Sequence, residues 1–132
     1  MPYDVTTFTL PCGVKATRAD GYGVITKEDA DLLMQKIGPG GSNYGTPLYV
    51  TSARMEKMSP EARSIFSVPP DPNVPPQWCA VCVSSPLIRV TVNFLLRVSG
   101  SKVVKMFTSE KDGLAWLDER VRAGVPKTAA VS

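Results

Sequence analysis

The stretch Ser84-Ser85-Pro86-Leu87-Ile88-Arg89-Val90-Thr91-Val92-Asn93-Phe94-Leu95-Leu96-Arg97-Val98 constrains the fold more than any other part of the chain. It is apolar on almost every side. Its polar groups fall on one narrow line, because Arg89, Asn93 and Arg97 recur every fourth residue and stack along one edge of a helix. A helix this apolar is buried by its own chain or meets a partner. Just before it, Trp78 to Val83 is a continuous apolar run bounded by turn residues. That is the pattern of a strand covered on both faces.

The remaining segments alternate in the same way. Val5 to Leu10 reads as a strand stopped by Pro11 and Gly13, and Val14 to Ala19 as a second strand closed by a turn at Asp20-Gly21. Thr26 caps a helix with Asp29 at the capping-box position, and Ala30, Leu33, Met34 and Ile37 form its apolar face. Gly38 and Pro39 end it. Gly38 to Pro47 is a loop, and Leu48 to Ser52 a short strand. Ser59-Pro60-Glu61 opens a second helix, with Ala62, Ile65 and Phe66 on its apolar face. Pro69 to Gln77 holds five of the twelve prolines and predicts an irregular or polyproline-like segment. The helix around Phe94 ends at Gly100, Lys102 to Phe107 alternates as a strand, and Thr108 or Ser109 caps a last helix carrying Leu114, Ala115, Leu117 and Val121. Strands alternating with helices predict an α/β fold with a mixed, mostly parallel sheet. Residues 1–126 form a single domain in this reading, and 127–132 a flexible tail.

Composition excludes several function classes. The chain has no histidine, which removes the commonest general base at neutral pH and every histidine-containing metal site. Net charge is +3 with the basic residues scattered, so no surface tracks a phosphate backbone and no nucleic acid is expected. Arg89, Asn93 and Arg97 interrupt the longest apolar stretch, so no membrane insertion is expected. The N-terminus lacks the basic-then-apolar pattern of a secretory signal. Three cysteines, an odd number, fit reduced thiols in a cytoplasmic protein.

Few residue patterns suggest chemistry. Trp78-Cys79-Ala80-Val81-Cys82 has the W-C-x-x-C form of thiol redox sites, yet it lies within an apparent strand, where residues three apart point to opposite faces. The structural reading is the favoured one. The glycine-rich loop Gly38 to Gly45 lacks the G-K-[ST] ending of a phosphate loop and follows a helix instead of opening one. The proline segment reads as a rigid connection. Ser59 is a candidate helix cap, and the same position would suit a phosphate. Asp29, Asp31, Glu61, Asp112, Asp118 and Glu119 sit on polar helix faces with no shared apolar pocket. No catalytic residue, metal ligand or cofactor is assigned.

The run Trp78 to Val98, followed by Val103-Val-Lys-Met-Phe107-Thr108 and Gly113-Leu-Ala-Trp-Leu117, resembles the STAS-like, SpoIIAA-like proteins of bacteria. Those proteins pair a hydrophobic strand and helix with a late strand ending near Phe-Thr and a last helix carrying Ala-Trp-Leu. The first helix, Thr26 to Ile37, fits their early helical segment, and the resemblance spans roughly residues 14 to 123. It implies a small α/β sandwich with a mixed, mostly parallel sheet and helices mainly on one face. It implies no catalysis and no obligatory cofactor. In the related anti-anti-sigma factors a kinase phosphorylates the serine of an Asp-Ser pair that opens the second helix. The matching place here is Met58-Ser59, with the serine present, methionine before it and Pro60 after it.

The expected function is a non-enzymatic, cytoplasmic regulatory or protein-interaction module. Its partner is another protein or a second copy of the chain, and Arg89, Asn93, Phe94 and Arg97 are the candidate interface residues. Two alternatives stand beside it. One is a carrier of a small apolar or amphipathic ligand, suggested by the apolar excess around Phe94, Leu95 and Trp116. The other is a thiol redox protein using Cys79 and Cys82.

Overall fold

A computed structural model describes residues 3–38, 40–43, 45–66, 78–99 and 103–124. The elements are β1 (Tyr3–Thr9), β2 (Lys15–Ile25), α1 (Lys27–Ile37), β3 (Leu48–Met58), α2 (Pro60–Phe66), β4 (Cys79–Cys82), α3 (Pro86–Ser99), β5 (Val104–Phe107) and α4 (Glu110–Ala123). The five strands form one sheet in chain order, with β1 antiparallel to β2 and every later pair parallel.

Apolar residues on the two sheet faces build two cores. On one face Tyr3, Ala19, Met55 and Val83 meet Ala30 and Leu33 of α1, Ala62 of α2, and Ile88 and Val92 of α3. On the other, Ala16, Tyr49, Ala80 and Cys82 meet Leu117 of α4, with Trp78, Phe107, Leu114 and Trp116 around them. Three of the four described helices therefore cover one face, and α4 returns across the other. This is the expected α/β sandwich. β4 and the residue after it supply both cores, Ala80 and Cys82 to one and Val81 and Val83 to the other, as a continuous apolar run requires.

Two strands are longer than their sequence suggests. The expected turn at Asp20-Gly21 does not form, and β2 continues to Ile25. Gly21 is there for space: a Cβ at this position would lie 2.7 Å from the Met55 side chain and 3.1 Å from the Tyr3 ring. Gly23, at φ +62, takes up a register shift between β2 and β3. β3, expected to stop at Ser52, runs to Met58 alongside this extension.

The helix starts follow the residues that mark them. The Thr26 backbone N–H donates to Asp29 Oδ2 at 2.8 Å, and the Asp29 N–H to Thr26 Oγ1 at 3.4 Å, completing a capping box. Ser109 caps α4 by accepting the Asp112 amide at 3.4 Å. The α1 face is narrower than expected, since Met34 is exposed. The proline segment Pro69 to Gln77, the helix stop at Gly100 and the tail 127–132 lie outside the described residues.

Candidate interaction surface

Helix α3 begins with Pro86 in its first turn, where a missing N–H costs nothing, and the Arg89 N–H closes that turn on Ser85 O at 2.9 Å. Ile88 and Val92, one turn apart, are 2% and 8% exposed and face the sheet. Val90 and Phe94 are also one turn apart but on the far side, at 68% and 59% exposed. Asn93 lies beside them and is exposed. The helix thus has two apolar stripes, one buried and one facing water.

Arg89 stands between the two stripes. It is half-buried, and its Nε is buried with no hydrogen-bond partner among the described residues. Asn93 and Phe94 face outward, and the Arg97 side chain lies outside the described residues. Val90 was missed by the sequence reading. Its signal was the i, i+4 spacing to Phe94, hidden because the helix is apolar all round.

The other sequence candidates are spread across the fold. Cys79 and Cys82 turn to opposite faces of β4: Cys82 lies in the α4-side core, while Cys79 shares its side with Val81. Burial pushes the Cys79 thiol up to about 12. Ser59 precedes α2, and its Oγ accepts the Ala62 amide at 3.1 Å while its own N–H donates to Ile25 O at 2.9 Å. In the glycine-rich loop the Gly41 and Asn43 amides donate to Gly38 O and Lys36 O, each at 2.9 Å. These amides close the end of α1 instead of facing outward to an anion.

A polar cluster on the α4 side was not foreseen. The Arg18 guanidinium bonds Asp20 at 3.0 Å and Glu110 at 2.7 Å, and lies 5.1 Å over the Tyr49 ring. The Tyr49 hydroxyl donates to Glu110 Oε1 at 3.3 Å. Burial first, then Cys82 and Glu110, push this phenol above its ordinary range. Further along α4, Trp78 and Trp116 meet edge to face at 5.8 Å, with the Arg120 guanidinium 5.7 and 5.9 Å from their rings. Each of these cations already has a partner within the chain. Among the described residues, no three His, Cys, Asp or Glu side chains gather as a metal-binding group, and no helix is long and apolar enough to cross a membrane.

The profile of a family described as a domain of unknown function, DUF7793, matches residues 24–121. The chain belongs to this family. The matched DUF7793 region begins near the end of β2 and runs through most of α4, so it contains both stripes of α3. No curated protein matches the chain. Among solved structures it is similar to an uncharacterised protein of the DUF3478 family with a SpoIIAA-like fold, from Shewanella loihica PV-4. Identity is 13%, the match covers 87% of this chain and 93% of the other, and the TM-score is 0.58. The SpoIIAA-like fold implied by the sequence resemblance is therefore the fold of this DUF7793 chain.

Proposed function

We propose that this DUF7793 chain is a non-enzymatic regulatory module of the STAS-like kind that works by binding a protein partner through the outer stripe of α3. One observation carries the reading: Val90 and Phe94 are exposed to water on a helix whose opposite stripe already fills the core. Burying each against a partner is worth about 1.5–3 kcal/mol. Asn93 supplies a polar group at the edge of the stripe, and α3 carries Arg89 and Arg97 with no carboxylate. A neutral or acidic partner surface suits such a helix. The polar clusters elsewhere support the same reading, because Arg18, Asp29 and Asp118 each spend their charge on neighbours within the fold. The divergence of Cys79 and Cys82 argues against a thiol redox role.

The test is the double variant Val90→Ser, Phe94→Ser. Its melting temperature should match that of the wild type, since neither side chain contributes to the core. Affinity recovery from the native host should yield a protein with the wild type that is lost with the variant. An early-melting variant, or an unchanged set of recovered proteins, contradicts the proposal.

A further inference from the structure

β1 is the outer strand of the described sheet, and its outer edge shows which of its backbone groups no described strand pairs. The Leu10 N–H donates to Val14 O at 2.9 Å, so Leu10 and Val14 are a hydrogen-bonded pair next to the β1–β2 turn. The Thr17 N–H donates instead to Pro47 O at 2.9 Å, away from β1, although Thr17 lies opposite Thr7. Antiparallel ladders alternate between bonded and unbonded pairs. Both observations fix the same parity: Asp4, Thr6 and Phe8 turn their backbone groups toward β2, while Val5, Thr7 and Thr9 turn theirs outward.

The composition of this edge does little to prevent pairing, since its one charged residue, Asp4, is held by Arg54. β1 is seven residues long, rich in β-branched side chains, and contains no lysine, proline or glycine. Exposed strands of that kind accept another strand unless they are short, charged or interrupted. The opposite edge is protected in this way, since β5 has four residues, one of them Lys105.

We propose that β1 pairs antiparallel with β1 of a second copy, about a twofold axis through Thr6, to make a ten-stranded sheet. In this register Val5 faces Thr7 of the second copy, outward group to outward group, and Thr6 faces itself across the axis. A shift by one residue would set outward groups against groups already bonded to β2, and a shift by two would shorten the overlap. The charges agree as well. Asp4, held by Arg54 at 3.2 Å, falls opposite Phe8 and not opposite its own copy. Thr6, Thr7 and Thr9 are exposed in the single chain, so the pairing displaces only water from them. Pairing through a single strand from each copy buries little area, so the dimer forms reversibly and responds to concentration. The interface is separate from α3.

The experiment is sedimentation velocity over a range of protein concentrations, on the wild type and on Thr7→Pro. The substitution removes an outward N–H that β2 does not use, at an edge position where proline is tolerated. The wild type is expected to show a two-chain species that grows with concentration, and Thr7→Pro a one-chain species with unchanged circular dichroism. If Thr7→Pro fails to fold, Thr6→Lys takes its place, because it leaves the backbone alone and sets two like charges face to face at the axis. A wild type that stays at one-chain mass throughout overturns the proposal. So does a folded variant that still associates, which would place self-association on another surface such as α3.

Discussion

Arg18 Nη2 lies 2.7 Å from Glu110 Oε1, joining the second strand to the first residue of the last helix. The two residues are far apart in sequence, and the link holds α4 on its side of the sheet above Tyr49. Both side chains are partly exposed, so the pair contributes within the range of surface ion pairs, about 0–1 kcal/mol. A double-mutant cycle with Arg18→Met and Glu110→Gln, read by denaturant unfolding, should give a coupling of about 0.5–1 kcal/mol at low salt that shrinks as salt is added. A coupling independent of salt would mean that Arg18 acts through its packing on Tyr49.

Cys79 and Cys82 should behave as structural thiols. A thiol held up to about 12 carries almost no thiolate near neutral pH, and Cys82 is buried against the opposite face. Cys12 and Cys79 are both half-buried, so the raised thiol is what sets Cys79 apart, and native titration with a thiol reagent should modify Cys12 before Cys79 and before the buried Cys82. Rapid labelling of Cys79 and Cys82, or a reversible disulfide between them, would restore the redox reading.

Ser59 and Thr26 both accept amides at helix starts, but their surroundings differ. Ser59→Ala removes one acceptor from the Ala62 amide and should cost about 1 kcal/mol. Thr26→Ala should cost at least as much, because Asp29 would also lose a hydroxyl donor at 2.7 Å. Chemical denaturation of the two variants checks both. A Ser59→Ala protein as stable as the wild type would show that its hydroxyl serves something other than the helix.

Asp118 gives the fold an acid-sensitive contact. Partial desolvation opposes its charge, but the Cys12 amide and thiol and the Arg122 guanidinium outweigh that, so its carboxyl is held below the usual range. A depressed carboxyl adds stability above its unfolded pKa of about 3.9, and that stability is lost as pH falls through the lower folded value. Asp118→Asn should therefore be less stable than the wild type at neutral pH, and the gap should close as the pH drops below about 4. Unfolding midpoints measured across that window test the sign. A gap that persists unchanged in acid would show that the residue's charge is not what stabilises the turn.

Much of this architecture was legible in the sequence because short-range chemistry decides it. Thr26 with Asp29, Ser59-Pro60-Glu61 before α2, and Ser109 before α4 each mark a helix start on their own. The apolar run at β4 announced a strand covered on both faces. The Gly21 reading failed because local sequence cannot separate a glycine needed for a turn from one needed for space. Only the approach of Tyr3 and Met55, from two other strands, decides between them. β3 ran past Ser52 for a related reason, since its length follows the extended β2 beside it.

The α3 surface was half legible. The excess of apolar side chains was plain, and Phe94 was singled out from it. Which stripe faces the sheet was not, because Ile88, Val90, Val92 and Phe94 are chemically alike and periodicity alone cannot rank them. The Arg18–Tyr49–Glu110 cluster was invisible for a different reason. It joins residues from three elements, and no spacing in the sequence links a strand to a helix that returns on the far face.

The central claim is that the outer stripe of α3 meets a protein in the cell. Site-specific photo-crosslinking tests it most directly, with a benzophenone side chain in place of Phe94 in the native host and a control at Lys111, exposed on α4 across the sheet. The account predicts a discrete adduct of higher mass from position 94 that the Lys111 control does not give. No adduct from 94, or the same adducts from both positions, would contradict it.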